Sequence, residues 1–195
     1  MTLASLLCGA ADLSAIVAAT GERRIDVGQL RRDVARNAEA LRARGCRRGL
    51  LVTRDTYWAA VGMLALFQAG AVVVMPPNAL PAMVSSLGGE WDCLVSDEEA
   101  AGLASQHVLV GGAGPAAPLR SLEPEACVLE LFTSGSTGEP KRVVKALGQM
   151  EREAGIIESL LGPYLPAGGI VTGTVSHQHL YGLTFRLFWP LCSGR

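Results

Sequence analysis

A chain of 195 residues has room for one domain with a sizeable core. Its hydrophobic content of 49% and charged content of 18% exclude a disordered chain, and a formal net charge of −1 gives no overall pull towards nucleic acid or an acidic membrane. Cys8, Cys46, Cys93, Cys127 and Cys192 are odd in number, scattered and never arranged as Cys-x-x-Cys, so the expectation is buried, reduced thiols in a cytoplasmic protein.

In chain order, residues 1–20 are poor in turn signals and read as helical in part, around Ser14 to Ala19. The apolar start lacks a basic segment and soon meets Asp12, which argues against a signal peptide. From Asp26 to Arg44 the positions Leu30, Val34, Ala38 and Leu41 form one apolar face, and Gly45 is a stop. The arginines of this region, Arg23 to Arg48, read as a solvated helix face; an acidic carrier protein or coenzyme A phosphates are the alternative partners. Gly49 to Thr53 reads as a strand. Asp55 caps a helix reaching Gly70, and Ala71 to Met75 is a buried strand. Trp58 to Met75 mimics a membrane span, but Ala69-Gly70 divides it into a helix and a strand of soluble length. A helix around Ala79 to Leu87, a strand at Trp91 to Val95, a helix start at Ser96 to Glu99 and a strand at His107 to Val110 follow. After a Gly/Ala/Pro-rich loop come a strand at Cys127 to Phe132, a short strand at Val143-Val144 and a helix from Ala146 to Leu161. Gly168 to Val175 reads as a strand and Leu180 to Leu191 as a helix. Alternating helices and apolar strands predict an α/β fold: a mostly parallel sheet with helices on both faces.

The stretch Thr133-Ser134-Gly135-Ser136-Thr137-Gly138-Glu139-Pro140-Lys141 stands out. Four hydroxyl residues and two glycines fill six positions, followed by one of the two lysines of a chain that otherwise uses arginine. Glycines let backbone approach a ligand closely, successive N–H groups in such a turn form an anion-binding concavity, and a lysine adds a point charge. The pattern suits nucleotide phosphates. A Walker-type loop fails, because Glu139-Pro140 separates Gly138 from Lys141 and no Ser or Thr follows. A flexible Gly/Ser linker is the bland alternative, opposed by the strands on either side.

These nine positions resemble the signature loop of the adenylate-forming superfamily: acyl-CoA synthetases, aryl-acid ligases, luciferases and peptide-synthetase adenylation domains. The resemblance implies an incomplete N-terminal domain of an adenylate-forming ligase, in which Thr133, Ser134, Gly135, Ser136, Thr137, Gly138 and Lys141 bind ATP phosphates. Arg142 stands where most members carry glycine, which suggests an outlying subgroup. Val175 to Gly182 is similar to the family's next motif, with His179, Tyr181 and Gly182 assigned to the acyl-substrate pocket and Ser176 in place of a usual proline. The implied reaction joins a small-molecule carboxylic acid to ATP with magnesium, then passes the acyl group to coenzyme A or carrier-protein phosphopantetheine. The motifs look most like ligases of the bacterial aryl-polyene pigment type, which implies a hydroxylated aromatic acid.

On this reading residues 1–195 are part of one N-terminal domain: 1–110 a first α/β portion, 111–125 a linker-like loop, and 126–195 the portion with the phosphate loop and acyl-pocket motif. The family's adenine- and ribose-binding segments and mobile C-terminal domain are not found before Arg195, so no complete catalytic set is expected and the chain alone should be inactive. The competing reading is a truncated nucleotide- or phosphate-binding module without catalysis. His177 and His179, two apart, would face opposite sides of a strand, which disfavours a metal pair; His179 could equally be a hydrogen-bonded core histidine. Tyr181, Phe185, Phe188 and Trp189 read as core, and Glu130 as structural.

Overall fold

The structure, a computed structural model, describes residues 1–98, 107–134 and 140–195, and for Ser134 and Pro140 their strand positions alone. Helix α1 (Leu3–Cys8) opens with a capping box between Thr2 and Ser5. A hairpin of β1 (Ile16–Thr20) and β2 (Arg23–Asp26) follows, turning at Gly21 with φ of 54°. The helix expected around Ser14 to Ala19 is therefore a strand. β-Branched Ile16 and Val17 suit a pleated chain, and the Gly21-Glu22 turn supplies Arg23–Asp26 as a ladder partner.

Helix α2 (Val27–Ala43) is capped by Asp26 and buries Leu30, Val34, Ala38 and Leu41, the face its spacing predicts. Strand β3 (Arg48–Val52) leads through an Asp55 cap into α3 (Thr56–Ala69), which ends at Gly70 with φ of 75°, a conformation costly for any residue with a Cβ. Strand β4 (Val72–Met75) completes the apolar run, and among the described residues no helix is long and apolar enough to cross a membrane. Then come α4 (Pro81–Ser86), β5 (Cys93–Ser96), β6 (His107–Leu109), β7 (Val128–Ser134), β8 (Pro140–Ala146) and α5 (Leu147–Leu161). The helix start expected at Ser96 to Glu99 falls on residues that do other work or lie outside the described set: Ser96 ends β5, and the Asp97 carboxylate accepts the backbone N–H groups of Arg54 and Asp55.

The last helical stretch runs as α6 (Leu180–Leu183), a π-turn (Thr184–Phe188) and α7 (Trp189–Ser193). The strand expected at Gly168 to Val175 does not form: the segment is irregular, Gly168 sits at φ of 66°, and among the described residues it has no ladder partner. Apolar β-branched residues there satisfy the propensity, but a strand needs a neighbour to hydrogen-bond.

Six strands form one sheet in the order β6-β5-β3-β4-β7-β8, parallel except for the β7–β8 pair. Alternation along the strands divides the core. Leu51, Val73, Met75, Val95, Leu129 and Leu131 face the large cluster under α2, α3 and α5. Leu50, Val74, Leu94 and Phe132 face a smaller cluster with Val84 and Leu87 from the α4 region. The chain steps from β3 to β4 through α3 on one face and back to β5 through α4 on the other, as a single crossover hand requires. Between β6 and β7 the chain is mostly exposed and lacks regular structure. It is held there by Gln68, whose side-chain amide donates to the Arg120 carbonyl (2.7 Å) and accepts the Arg120 N–H (2.8 Å).

The arginine-rich region is largely occupied internally. Arg31 donates to the carbonyls of Leu6 and Gly9, Arg42 to that of Gln68, and Arg36 pairs at 2.7 Å with buried Asp33. Asp33 also accepts the Tyr57 hydroxyl at 2.6 Å, and burial pushes that phenol's pKa up.

Candidate functional site

In open α/β sheets ligands bind outside the carboxyl ends of the strands, at the point where the strand order reverses. Here that point lies at β3 and β4, from whose ends the chain leaves towards opposite sides of the sheet. The ends of β3, β4, β5 and β7 share this edge because the four strands are parallel.

The phosphate-loop candidates sit on the β7–β8 hairpin, which pairs in register from Val128 with Ala146 to Ser134 with Pro140. Gly135, Ser136, Thr137 and Gly138 lie outside the described residues, as does Glu139; Ser134 ends β7. Thr133 is paired with Lys141, and its hydroxyl donates to the Lys141 carbonyl at 3.2 Å. The neighbouring cations of β8 are committed elsewhere: Lys145 contacts Glu153 at 2.6 Å, and Arg142 lies 3.6 Å from Glu130 and 3.8 Å from Glu90. Lys141 is exposed and has no acidic partner among the described residues. Glu130 is buried and takes a two-point contact from Arg48, at 2.7 and 3.3 Å, a structural role as expected.

The segment that carries the acyl-pocket candidates His179, Tyr181 and Gly182 meets the end of β3 through His177. His177 is 2% exposed, and its Nε2 lies 3.1 Å from both the Thr53 carbonyl oxygen and the Thr53 hydroxyl, with Nδ1 3.3 Å from the Thr56 hydroxyl. A carbonyl only accepts, so Nε2 carries the proton and Nδ1 accepts from Thr56. Desolvation lowers the His177 pKa, the backbone bond to Thr53 opposing it, which agrees with that neutral tautomer. His179 is exposed at the start of α6, and its N–H donates to the Ser176 carbonyl at 3.1 Å. The hydrogen-bonded buried histidine is thus His177, and not His179. The two do diverge, but across a turn and not along a strand.

Tyr181 is 62% exposed and stacks on Phe185 with centroids 4.5 Å apart, which corrects its reading as core; Phe188 and Trp189 are buried. Gly182 packs against the Ser176 carbonyl so closely that a Cβ would overlap it. The ends of β3 and β7 have β4 between them, a separation of about 10 Å from interstrand spacing. A cavity of about 540 Å³ lies between the β1–β2 hairpin, Arg54 to Trp58 and the 168–173 segment, and among the described residues His179, Tyr181 and Gly182 do not line it.

The fold matches solved structures. The o-succinylbenzoate CoA synthetase (MenE) of Bacillus subtilis, in complex with the acyl-adenylate intermediate OSB-AMP, superposes with a TM-score of 0.75 at 19% identity, over 93% of this chain and 51% of that one. The fold is that of the adenylate-forming ligases. The N-terminal subdomain of Klebsiella oxytoca NpsA, in complex with 3-hydroxybenzoyl-AMSN, matches this adenylate-forming fold with a TM-score of 0.66 at 20% identity, over 93% and 48%. In sequence, the nonribosomal peptide synthetase otaB of Aspergillus carbonarius (strain ITEM 5010) is 35% identical over 123 residues, 56% of this chain and 7% of that protein. No protein-family profile matches. The chain spans about half the length of the adenylate-forming structures above and under a tenth of the peptide synthetase.

Proposed function

We propose that the chain is the N-terminal part of an ATP-dependent carboxylate ligase that forms an acyl or aryl adenylate and then a thioester. The observation that carries this reading is Lys141: an exposed cation without an acidic partner among the described residues, at the foot of a hydroxyl- and glycine-rich loop on the carboxyl edge of a parallel sheet. A carboxylate oxygen forms a bond to the α-phosphorus while the bond to pyrophosphate breaks. A thiol then attacks the acyl carbonyl and AMP leaves. The demand on the protein is to position the phosphates and to balance charge developing on the leaving group. Thr133, Ser134, Ser136 and Thr137 supply hydroxyls, Gly135 and Gly138 supply N–H groups, and Lys141 supplies positive charge. Magnesium would arrive with the nucleotide and neutralise phosphate charge.

His179, Tyr181 and Gly182 face the acid in this reading. Exposed Tyr181, stacked on Phe185, gives an aromatic surface to a ring-bearing substrate such as a hydroxylated aromatic acid of the aryl-polyene type. The acceptor is coenzyme A or carrier-protein phosphopantetheine; the ligase neighbours support the first and the peptide synthetase relative the second. We place the reaction in the cytoplasm and in the complete protein, with residues 1–110, 111–125 and 126–195 as portions of one N-terminal domain. The 195 residues alone form no adenylate.

The test is ATP–pyrophosphate exchange in the complete ligase. Charge-assisted hydrogen bonds are worth about 1.5–3 kcal/mol, so Lys141→Ala should lower exchange about tenfold or more, with Thr137→Ala in the same direction. Unchanged exchange in both variants would sink the assignment.

A further inference from the structure

Arg142 departs from the pattern that the loop otherwise follows, and the structure gives it a partner. Glu130 on β7 and Arg142 on β8 point to the same side of the sheet, offset by two positions across the ladder, because Glu130 pairs with Val144 and Phe132 with Arg142. The Glu130 side chain is 9% exposed, and a carboxylate so placed requires compensating charge. Arg48, three strands away from β8, supplies one guanidinium at 2.7 Å, and its Nε donates to the Glu90 carbonyl at 2.6 Å. Arg142 supplies the second at 3.6 Å, with Glu90 at 3.8 Å from Arg142 and 3.5 Å from Arg48 completing an alternating ring of two acids and two arginines. The ring spans β3, β7, β8 and the turn before β5. It ends one residue from Lys141.

We propose that Arg142 is a positioning residue: it ties edge strand β8 to the buried Glu130 and so fixes the hairpin register that sets Lys141 opposite Thr133. A glycine at 142 would remove the side-chain tie between β8 and Glu130, leaving the strand its ladder bonds and the Lys145–Glu153 pair at its far end. The arginine adds a charged anchor reaching across the hairpin to the sheet interior. Arg142 acts through Glu130 and makes no claim on the ligand, which separates it from Lys141. The proposal rests on reading residues 133–141 as the phosphate grip.

The test is a double-mutant cycle in the full chain, read by hydrogen exchange without nucleotide and by the Kd for magnesium ATP. Arg142 is half-exposed, so Arg142→Gln should fold. Residues in one charged network couple, so Arg142→Gln should speed exchange at the Thr133 and Val143 amides and raise the Kd about fivefold. Arg142→Lys should restore part of both. In a Glu130→Gln background the additional effect of Arg142→Gln should shrink to less than about twofold, because its anchor is gone. An equal loss in both backgrounds, with amide protection unchanged, overturns the proposal and places Arg142 on the ligand itself. If Glu130→Gln does not fold, unchanged exchange in Arg142→Gln alone overturns it. A Lys141→Ala control separates the two ideas: unchanged magnesium ATP binding there removes the phosphate-grip reading, while the exchange arm still decides whether Arg142 holds the hairpin.

Discussion

His177 links two segments that are 121 or more residues apart through hydrogen bonds to Thr53 and Thr56. Its pKa is lowered by burial, so the unfolded chain takes up a proton near 6.5 while the folded chain does so only at lower pH. Below 6.5 the unfolded state binds more protons, and this share of stability falls away until the folded-state pKa is passed. We expect the urea midpoint of the wild type to drop more between about pH 7.5 and 5.5 than that of His177→Gln; equal drops would show that His177 contributes nothing to the pH dependence. Thiols give a second test. Burial pushes Cys127 up to about 11 and Cys192 up to about 12, whereas Cys8 is exposed. Under native conditions iodoacetamide should modify Cys8 first, and Cys127 and Cys192 only once the chain opens, as mass mapping would show. At this scale the sequence made residue chemistry legible but not direction. Hydroxyls, glycines and Lys141 are the residues on which the phosphate-loop proposal stands, but nothing in two histidines two apart says which turns inward. Thr53 and Thr56, the hydroxyls awaiting one of them, are recognisable only once β3 and the 176–182 turn are neighbours.

Elements were legible where local signals agreed. Helices α2 and α3 begin at aspartates that accept N–H groups of their first turns, and both carry the apolar positions that the packing uses. The 168–175 segment shows the limit, since residue preference cannot supply a ladder partner. Close packing of β3 on α3 makes a sharper claim. A Cβ at Gly49 would overlap the Leu66 side chain, itself fully buried. Overpacking a filled core costs about 1–3 kcal/mol, so Gly49→Ala should lower the unfolding free energy by that amount, read as a lower denaturant midpoint at unchanged slope. Gly182→Ala meets a backbone carbonyl instead of a side-chain tip. It should disturb the 176–182 turn, seen as faster exchange at the His179 amide, while the sheet amides keep their protection.

For the whole molecule, a mostly parallel sheet followed from apolar strands alternating with helices, but its order did not. Interleaving of β5 and β3, and the return of β7 to β4, are set by crossover hand and by which face each helix covers, quantities that no local window contains. One consequence of that return concerns the exposed connection between β6 and β7. Strand β7 hydrogen-bonds to β4 from the far side of this connection, with Val73, Val74 and Met75 matched to Leu129, Glu130 and Leu131. The connection is therefore a seam that can be cut without parting what it joins. A protease nick at Gly112 to Gly114 should leave two fragments that travel together on a sizing column and separate only in denaturant. Gln68, gripping Arg120 like a borrowed strand, keeps the downstream flap from peeling back. Coexpressed halves divided there should find each other and rebuild the sheet.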